Sequence, residues 1–163
     1  GLFKGDDGVR QPAAYRGAAF EDELKATHEE YRRLGLAVVT KHEIRKVQSR
    51  GRLVYVAKSI ADFTGVLKGG HFVAFDAKSL AKPQETWRPD PRQKHQLEYL
   101  RSVAALGGLA FYLVRNGLDE ARIVPVASLT DVFSVPLAEC GVVRRRYGPT
   151  PWDWLSIVEA TMR

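Results

Sequence analysis

The stretch Ser59-Ile-Ala-Asp62-Phe-Thr-Gly65-Val-Leu-Lys68-Gly-Gly70-His-Phe-Val-Ala-Phe-Asp76-Ala-Lys78 sets two apolar segments around a Gly-Gly pair. Each segment is short enough for a strand, and paired glycines supply the positive φ that a tight turn needs, so the stretch reads as a β-hairpin. With Lys68, Gly69 and Gly70 as a three-residue loop, Leu67 faces His71 and Asp62 falls opposite Asp76; a two-residue Gly69-Gly70 turn shifts this by one. In either register the carboxylates lie within about one cross-strand neighbour distance, ~5–8 Å. Strand alternation puts Asp76 and Lys78 on one face with Phe72 and Ala74, and turns Val73, Phe75 and Ala77 into the core. Two acids crowded at one sheet end repel, and a divalent cation removes the conflict by making both of them ligands. Hard oxygen donors completed by water suit Mg²⁺ or Mn²⁺. Lys78 then stands where it can orient or deprotonate a water, or neutralise charge on a pentavalent phosphate. The plainer reading is a surface hairpin whose Asp76–Lys78 pair is a rim ion pair worth ~0–1 kcal/mol.

Outward from the hairpin, apolar residues at Phe20, Leu24, Tyr31 and Leu34, with Thr27 in the stripe, predict a helix from Gly17 to Leu34 that Gly35 ends. Residues 36–40 and 53–57 predict strands one and two. The prolines at 83, 89 and 91 make 79–91 a long ordered loop. A second helix is expected from Arg92 to Leu106, stopped by Gly107-Gly108. Residues 109–114 are uniformly apolar and read as a buried central strand. Residues 122–126 read as a strand pushed to the sheet edge by Pro125. Thr150-Pro151-Trp152-Asp153 announces a last helix, with Thr150 as N-cap, that runs from Trp152 to about Thr161. The expected fold class is α/β: one domain with a mixed central sheet flanked by helices. Residues 1–15 read as a flexible basic N-terminal arm and 16–163 as the folded domain.

The chain has 163 residues, 45% hydrophobic and 27% charged, the composition of an ordinary globular domain. No apolar run approaches the ~18 residues a membrane span requires, so neither a membrane partner nor an export signal is expected, and a cytoplasmic setting is. Cys140 is the only cysteine, which excludes an internal disulfide and a cysteine-based zinc site. Twenty-five Lys and Arg against 19 Asp and Glu leave a charge of +6, with a local bias. Six basic residues and one acid lie between Lys41 and Lys58, Arg45, Lys46, Arg50 and Arg52 among them, and Arg144-Arg145-Arg146 forms a second cluster. Such clusters favour a nucleic-acid partner over merely solvated surface.

Two further side chains point towards the hairpin's acids. Glu21 follows Phe20 at the edge of the helical stripe and can reach the sheet end, with Asp22 and Glu23 as competitors. Gln96 shares the inward face of the second helix with Leu100 and Val103, and a buried amide needs partners.

At these residues the chain resembles the RecU-type Holliday junction resolvases of the PD-(D/E)XK nuclease superfamily. The resemblance covers roughly residues 15–160. Arg16-Gly17, Phe20-Glu21-Asp-Glu-Leu24, Tyr31, Gly35-Leu-Ala-Val38 and Lys41 match the opening helix and strand. Asp62-Phe-Thr-Gly65, Lys68-Gly69 and Phe75-Asp76-Ala-Lys78 match the catalytic hairpin, and His95-Gln96-Leu97-Glu98 with Gly108-Leu-Ala-Phe111 the helix and strand after it. The resemblance implies a restriction-endonuclease-like fold and a homodimeric, metal-dependent endonuclease that cuts opposed strands of a four-way DNA junction. It carries over Asp62 and Asp76 as metal ligands, Lys78 as the catalytic lysine, Glu21 as an accessory acid at the metal, and Gln96 as a water- or metal-positioning group. Arg16, Lys41 and Lys68 join the basic residues as expected DNA contacts.

The chain departs from the family in three places. Asp76 stands where Glu is usual, Ile60-Ala61 replaces a Thr-Thr pair, and the basic 41–58 segment, in the position of a stalk that enters the junction, is shorter and lacks a Pro-Thr-Pro. A nuclease acting on other duplex or branched DNA, and a non-catalytic DNA-binding module, are the alternative expectations.

Overall fold

A computed structural model describes residues 13–43, 46–55, 60–130 and 134–162. Six strands form the central sheet: β1 (Ala37–Lys41), β4 (Phe63–Leu67), β5 (His71–Ser79), β7 (Leu109–Arg115), β8 (Glu120–Pro125) and β10 (Gly141–Arg144), side by side in that order. Only β5 and β7 run parallel; the other neighbours are antiparallel. The sheet is therefore mixed, as expected. Helix α1 (Ala13–Arg33) packs on β1 and β5, and α2 (Lys94–Ala105), the crossover between β5 and β7, packs on the opposite face. Helix α3 (Trp154–Thr161) closes the α1 side against β8 and β10.

Hydrophobic burial on both faces fixes these positions. Phe20, Leu24 and Tyr31 of α1 meet Phe63, Phe75, Phe111 and Trp154, with Phe75 and Phe111 stacked 4.8 Å apart. On the other side Leu100 and Val103 of α2 cover Ala74, Ala110 and Tyr112. β7 contributes to both cores, which explains its unbroken apolar sequence. Gly65 is needed where β4 crosses β1: a Cβ there would stand 2.1 Å from the Val38 carbonyl oxygen.

Several boundaries differ from expectation for long-range reasons. α1 includes Ala13–Tyr15, which the sequence assigns to the arm; residues 1–12 lie outside the described residues. Leu34 lies past the end of α1 and is exposed. Of expected strand two, residues 53–55 do not join the main sheet, and residues 56–57 lie outside the described residues. β2 (Lys46–Ser49) and β3 (Arg52–Tyr55) pair only with each other, about a two-residue turn in which Arg50 (φ 53°) and Gly51 (φ 73°) are both left-handed. Pro125 does not make β8 an edge strand, because the β10 ladder stops at Ile123, short of the proline. Within 79–91, β6 (Thr86–Trp87) pairs with β9 (Val135–Pro136) and buries Trp87 against Tyr112. α3 begins at Trp154 with Asp153 at its N-cap. Thr150 instead accepts from the Arg146 guanidinium through its hydroxyl and its carbonyl.

Candidate active site

The hairpin forms in the three-residue-loop register. Leu67 faces His71 and Phe63 faces Phe75, which sets Asp62, one residue before β4, opposite Asp76 on β5. Asp76 is 0% exposed, because β5 is flanked by strands on both sides and α2 covers its face. Its Oδ1 accepts the Asp62 backbone N–H at 2.6 Å, and Asp62 Oδ2 accepts the Ala77 N–H at 2.9 Å. Asp76 Oδ2 is buried with no hydrogen-bond partner.

Burial pushes the Asp62 carboxyl up to about 7, helped by the like charge of Asp76 and of Glu21, against the Ala77 N–H and the Lys78 ammonium. Asp76 is also raised, by burial first and by Glu21, while Lys78 and the Asp62 N–H oppose. The two titrate as a pair that resists carrying two charges. Tyr112, beside Asp76 on β7, has its hydroxyl held in the neutral form by burial and by the same carboxylates.

Lys78 Nζ donates to Gln93 Oε1 at 2.7 Å and to Gln96 Oε1 at 3.2 Å. Gln96 thus occupies its expected inward position. Gln93 was not anticipated; it immediately precedes α2, and its only sequence signal is the i, i+3 spacing to Gln96, which puts both amides on one side of the first turn.

Of the acids on α1, Glu21 is the one whose charge reaches both aspartates. It pairs with Lys41 Nζ at 2.7 Å. Glu23 is held by Arg145 at 2.8 Å, and Asp22 faces solvent. Among the described residues no three His, Cys, Asp or Glu side chains converge as a metal-ligating group, so Glu21 is not gathered with Asp62 and Asp76 as a third ligand. The two aspartates nonetheless fit a hard divalent cation. Both are oxygen donors, they face each other, and Asp76 keeps one oxygen free of protein donors.

The expected DNA contacts are dispersed. Lys68 sits in the hairpin turn, at the end away from Asp62, six residues along the strand and so about 20 Å distant. Arg144, Arg145 and Arg146 each face an acid of the chain: Glu120 at 3.4 Å, Glu23 at 2.8 Å and Asp153 at 3.3 Å. Arg50 and Arg52 are exposed on the β2–β3 hairpin, where Lys46 also lies; Arg45 is outside the described residues. Arg16 is half-buried on α1.

A family model, "RecU: Recombination protein U", matches residues 15–137. The chain is 34% identical over 143 residues to the Holliday junction resolvase RecU of Lactococcus lactis subsp. lactis (strain IL1403), covering 76% of this chain and 66% of that protein. It is 30% identical over 134 residues to Holliday junction resolvase RecU of Streptococcus gordonii, covering 75% and 66%. It therefore spans just under two thirds of the length of these relatives. The structure of Hjc, a Holliday junction resolvase from Archaeoglobus fulgidus, aligns with a TM-score of 0.49 at 17% identity, over 75% of this chain and 89% of that one.

Proposed function

The chain belongs to the recombination protein U family, and from that membership we propose that it is a metal-dependent DNA endonuclease that resolves four-way junctions. The observation that carries the reading is the Asp62–Asp76 pair, half-buried and buried respectively, beside a lysine clamped by two glutamines. Like charges at this depth are costly for folding, and a phosphodiester-cleaving site is a use that warrants them.

A bound Mg²⁺ or Mn²⁺ supplies charge neutralisation at the phosphate and makes a nearby water more acidic. The protein's own part is orientation and charge. Asp62 and Asp76 are held by backbone N–H groups of the hairpin, so their oxygens need no reorganisation. Lys78, with two of its three donor positions taken by glutamine oxygens, keeps one directed donor for a phosphate oxygen and stabilises the added negative charge. A water oxygen attacks phosphorus in line, the P–O3′ bond breaks, and the departing oxygen takes a proton, leaving a 5′-phosphate and a 3′-hydroxyl. Glu21 acts from outside the pair, through its negative charge and its hold on Lys41.

Cutting two opposed strands calls for two such sites, and the described residues of one chain contain a single carboxylate pair of this kind, so the working unit is a homodimer. The exposed arginines of the β2–β3 hairpin are its nearest candidates for junction contacts. No helix of the described residues is long and apolar enough to cross a membrane, and we place the reaction in the cytoplasm with the DNA. The test is cleavage of a synthetic four-way junction and of linear duplex of the same sequence, with Mg²⁺ and with EDTA. Metal-dependent cutting confined to the junction is expected. Equal cutting of linear duplex overturns the junction assignment, and undiminished cutting in EDTA overturns the site.

A further inference from the structure

Among the described residues the α2-side face of the sheet is only half covered. α2 packs on β5 and β7, while Val38 on β1, Val66 on β4 and Phe72 on β5, which form one cross-strand row, remain 49%, 49% and 40% exposed. Along the same face, towards the carboxylates, the next row is Thr40, Thr64 and Ala74. Beyond it His42 lies across from Asp62, whose carbonyl accepts the His42 backbone N–H at 2.8 Å. The His42 ring turns back along this open face, and its Nε2 meets Thr64 Oγ1 at 2.5 Å. His42 and Thr64 are both half-buried, so a polar pair with one side towards solvent borders Asp62.

We propose that His42, oriented by Thr64, contacts the substrate and holds a phosphate of the cut strand next to the scissile one. With the Thr64 hydroxyl as donor to Nε2, the hydrogen of the neutral ring sits on Nδ1, and Nδ1–H is then the donor offered to a phosphate oxygen. A neutral ring suffices. His42 is one strand from Asp62 and two from Asp76, roughly 10 Å in all, too far for the phosphate under attack and suited to a neighbour. From His42 the chain also runs directly into the basic segment carrying Arg50 and Arg52.

The inference rests on the nuclease reading, and the two are separated by variant. Junction binding in EDTA and steady-state cleavage in Mg²⁺ are measured for His42→Ala, His42→Gln and Thr64→Val, with thermal melting as the check on folding. His42→Ala is expected to weaken binding and raise KM about tenfold, the loss of one hydrogen bond to a charged oxygen, with kcat nearly unchanged. His42→Gln, which keeps a donor, recovers most of that loss. Uncharged methylphosphonates placed one at a time at the phosphates flanking the cut weaken binding of the parent at one position, and at that position have no further effect in His42→Ala. Parental binding by a folded His42→Ala, or methylphosphonate penalties that add fully to it at every position, overturns the inference. If His42→Ala does not fold, Thr64→Val carries the same two readouts. Retained cleavage by Asp76→Asn sinks the nuclease reading instead, whatever His42 does.

Discussion

Asp76 and Asp62 are joined through a single peptide hydrogen: the backbone N–H of Asp62 is held by Asp76 Oδ1 at 2.6 Å. The bond spans the open end of the hairpin. It fixes one oxygen of Asp76 and leaves the other buried and unpartnered, 14 residues away in sequence and one strand away in space.

An Asp76→Asn change keeps an oxygen for that N–H and removes the charge. Cleavage should fall more than about a hundredfold, several kcal/mol of lost transition-state stabilisation. Junction affinity should hold or rise, because repulsion from phosphate is gone. Gel-shift and cleavage assays on one preparation read both, and loss of binding alongside loss of cutting would count against a catalytic role.

Two buried groups act on stability in opposite directions in metal-free protein. Asp62 is raised to about 7 from an ordinary 3.8, so its contribution is present at low pH and lost as pH rises to 7. His28, buried and accepting the Trp154 indole N–H, is lowered to about 3 from 6.5, so stability is lost as pH falls below 6.5. Between pH 5 and 8 each is worth about 2 kcal/mol, with opposite sign. Asp76, raised with Asp62, acts in the same direction, so urea unfolding in EDTA should fall more steeply with pH for His28→Gln than for the parent, and less steeply for Asp62→Asn. Parallel profiles for all three proteins would refute this balance.

Gln93→Ala frees the Lys78 ammonium from its shorter bond. A loosened catalytic donor should cost roughly ten- to a hundredfold in kcat with little change in melting temperature. Lys78→Ala should cost more, and Gln93→Ala in the Lys78→Ala background should add nothing. An additive double variant would show that Gln93 acts elsewhere.

Glu21 and Glu23 are two residues apart on α1 and have different partners. Glu21→Gln should lower the cleavage rate. Glu23→Gln should leave it intact and lose only the solvent-screened pair to Arg145. A rate loss confined to Glu23→Gln would reverse the assignment.

Gly65→Ala places a methyl group on the backbone of β1 and should destabilise by roughly 3 kcal/mol or more, since neither strand can yield without breaking the ladder. Gly17→Ala, in α1 with open space around it, should stabilise by about 0.5–1 kcal/mol. Calorimetric melting of the two variants tests both signs.

Much of this molecule was legible before its structure. The hairpin with its register to within one residue, the shared face of Asp76 and Lys78, and the inward face of α2 depend on turn geometry and on periods of two and 3.6 residues, and these are local. Residues 109–114 were recognisable as central because only a strand covered on both faces tolerates an unbroken apolar run. The homology-bearing motifs lie on these same elements, so family and carboxylate pair could be read together.

What the tertiary structure alone decided concerns partners distant in the chain. Pro125 argued for an edge, yet β10 flanks β8 up to Ile123. Residues 53–57 looked like a sheet strand, yet β3 finds its only ladder in β2. The Arg144–Arg146 cluster read as a surface for DNA, yet each arginine meets an acid contributed by α1, β8 or the start of α3. Gln93 carried only its spacing to Gln96, and His42 no local mark at all. Charge and composition say which groups a chain owns; which of them are neutralised internally, and which stand beside Asp62 and Asp76, depends on long-range strand pairing and helix docking that no short window of sequence encodes.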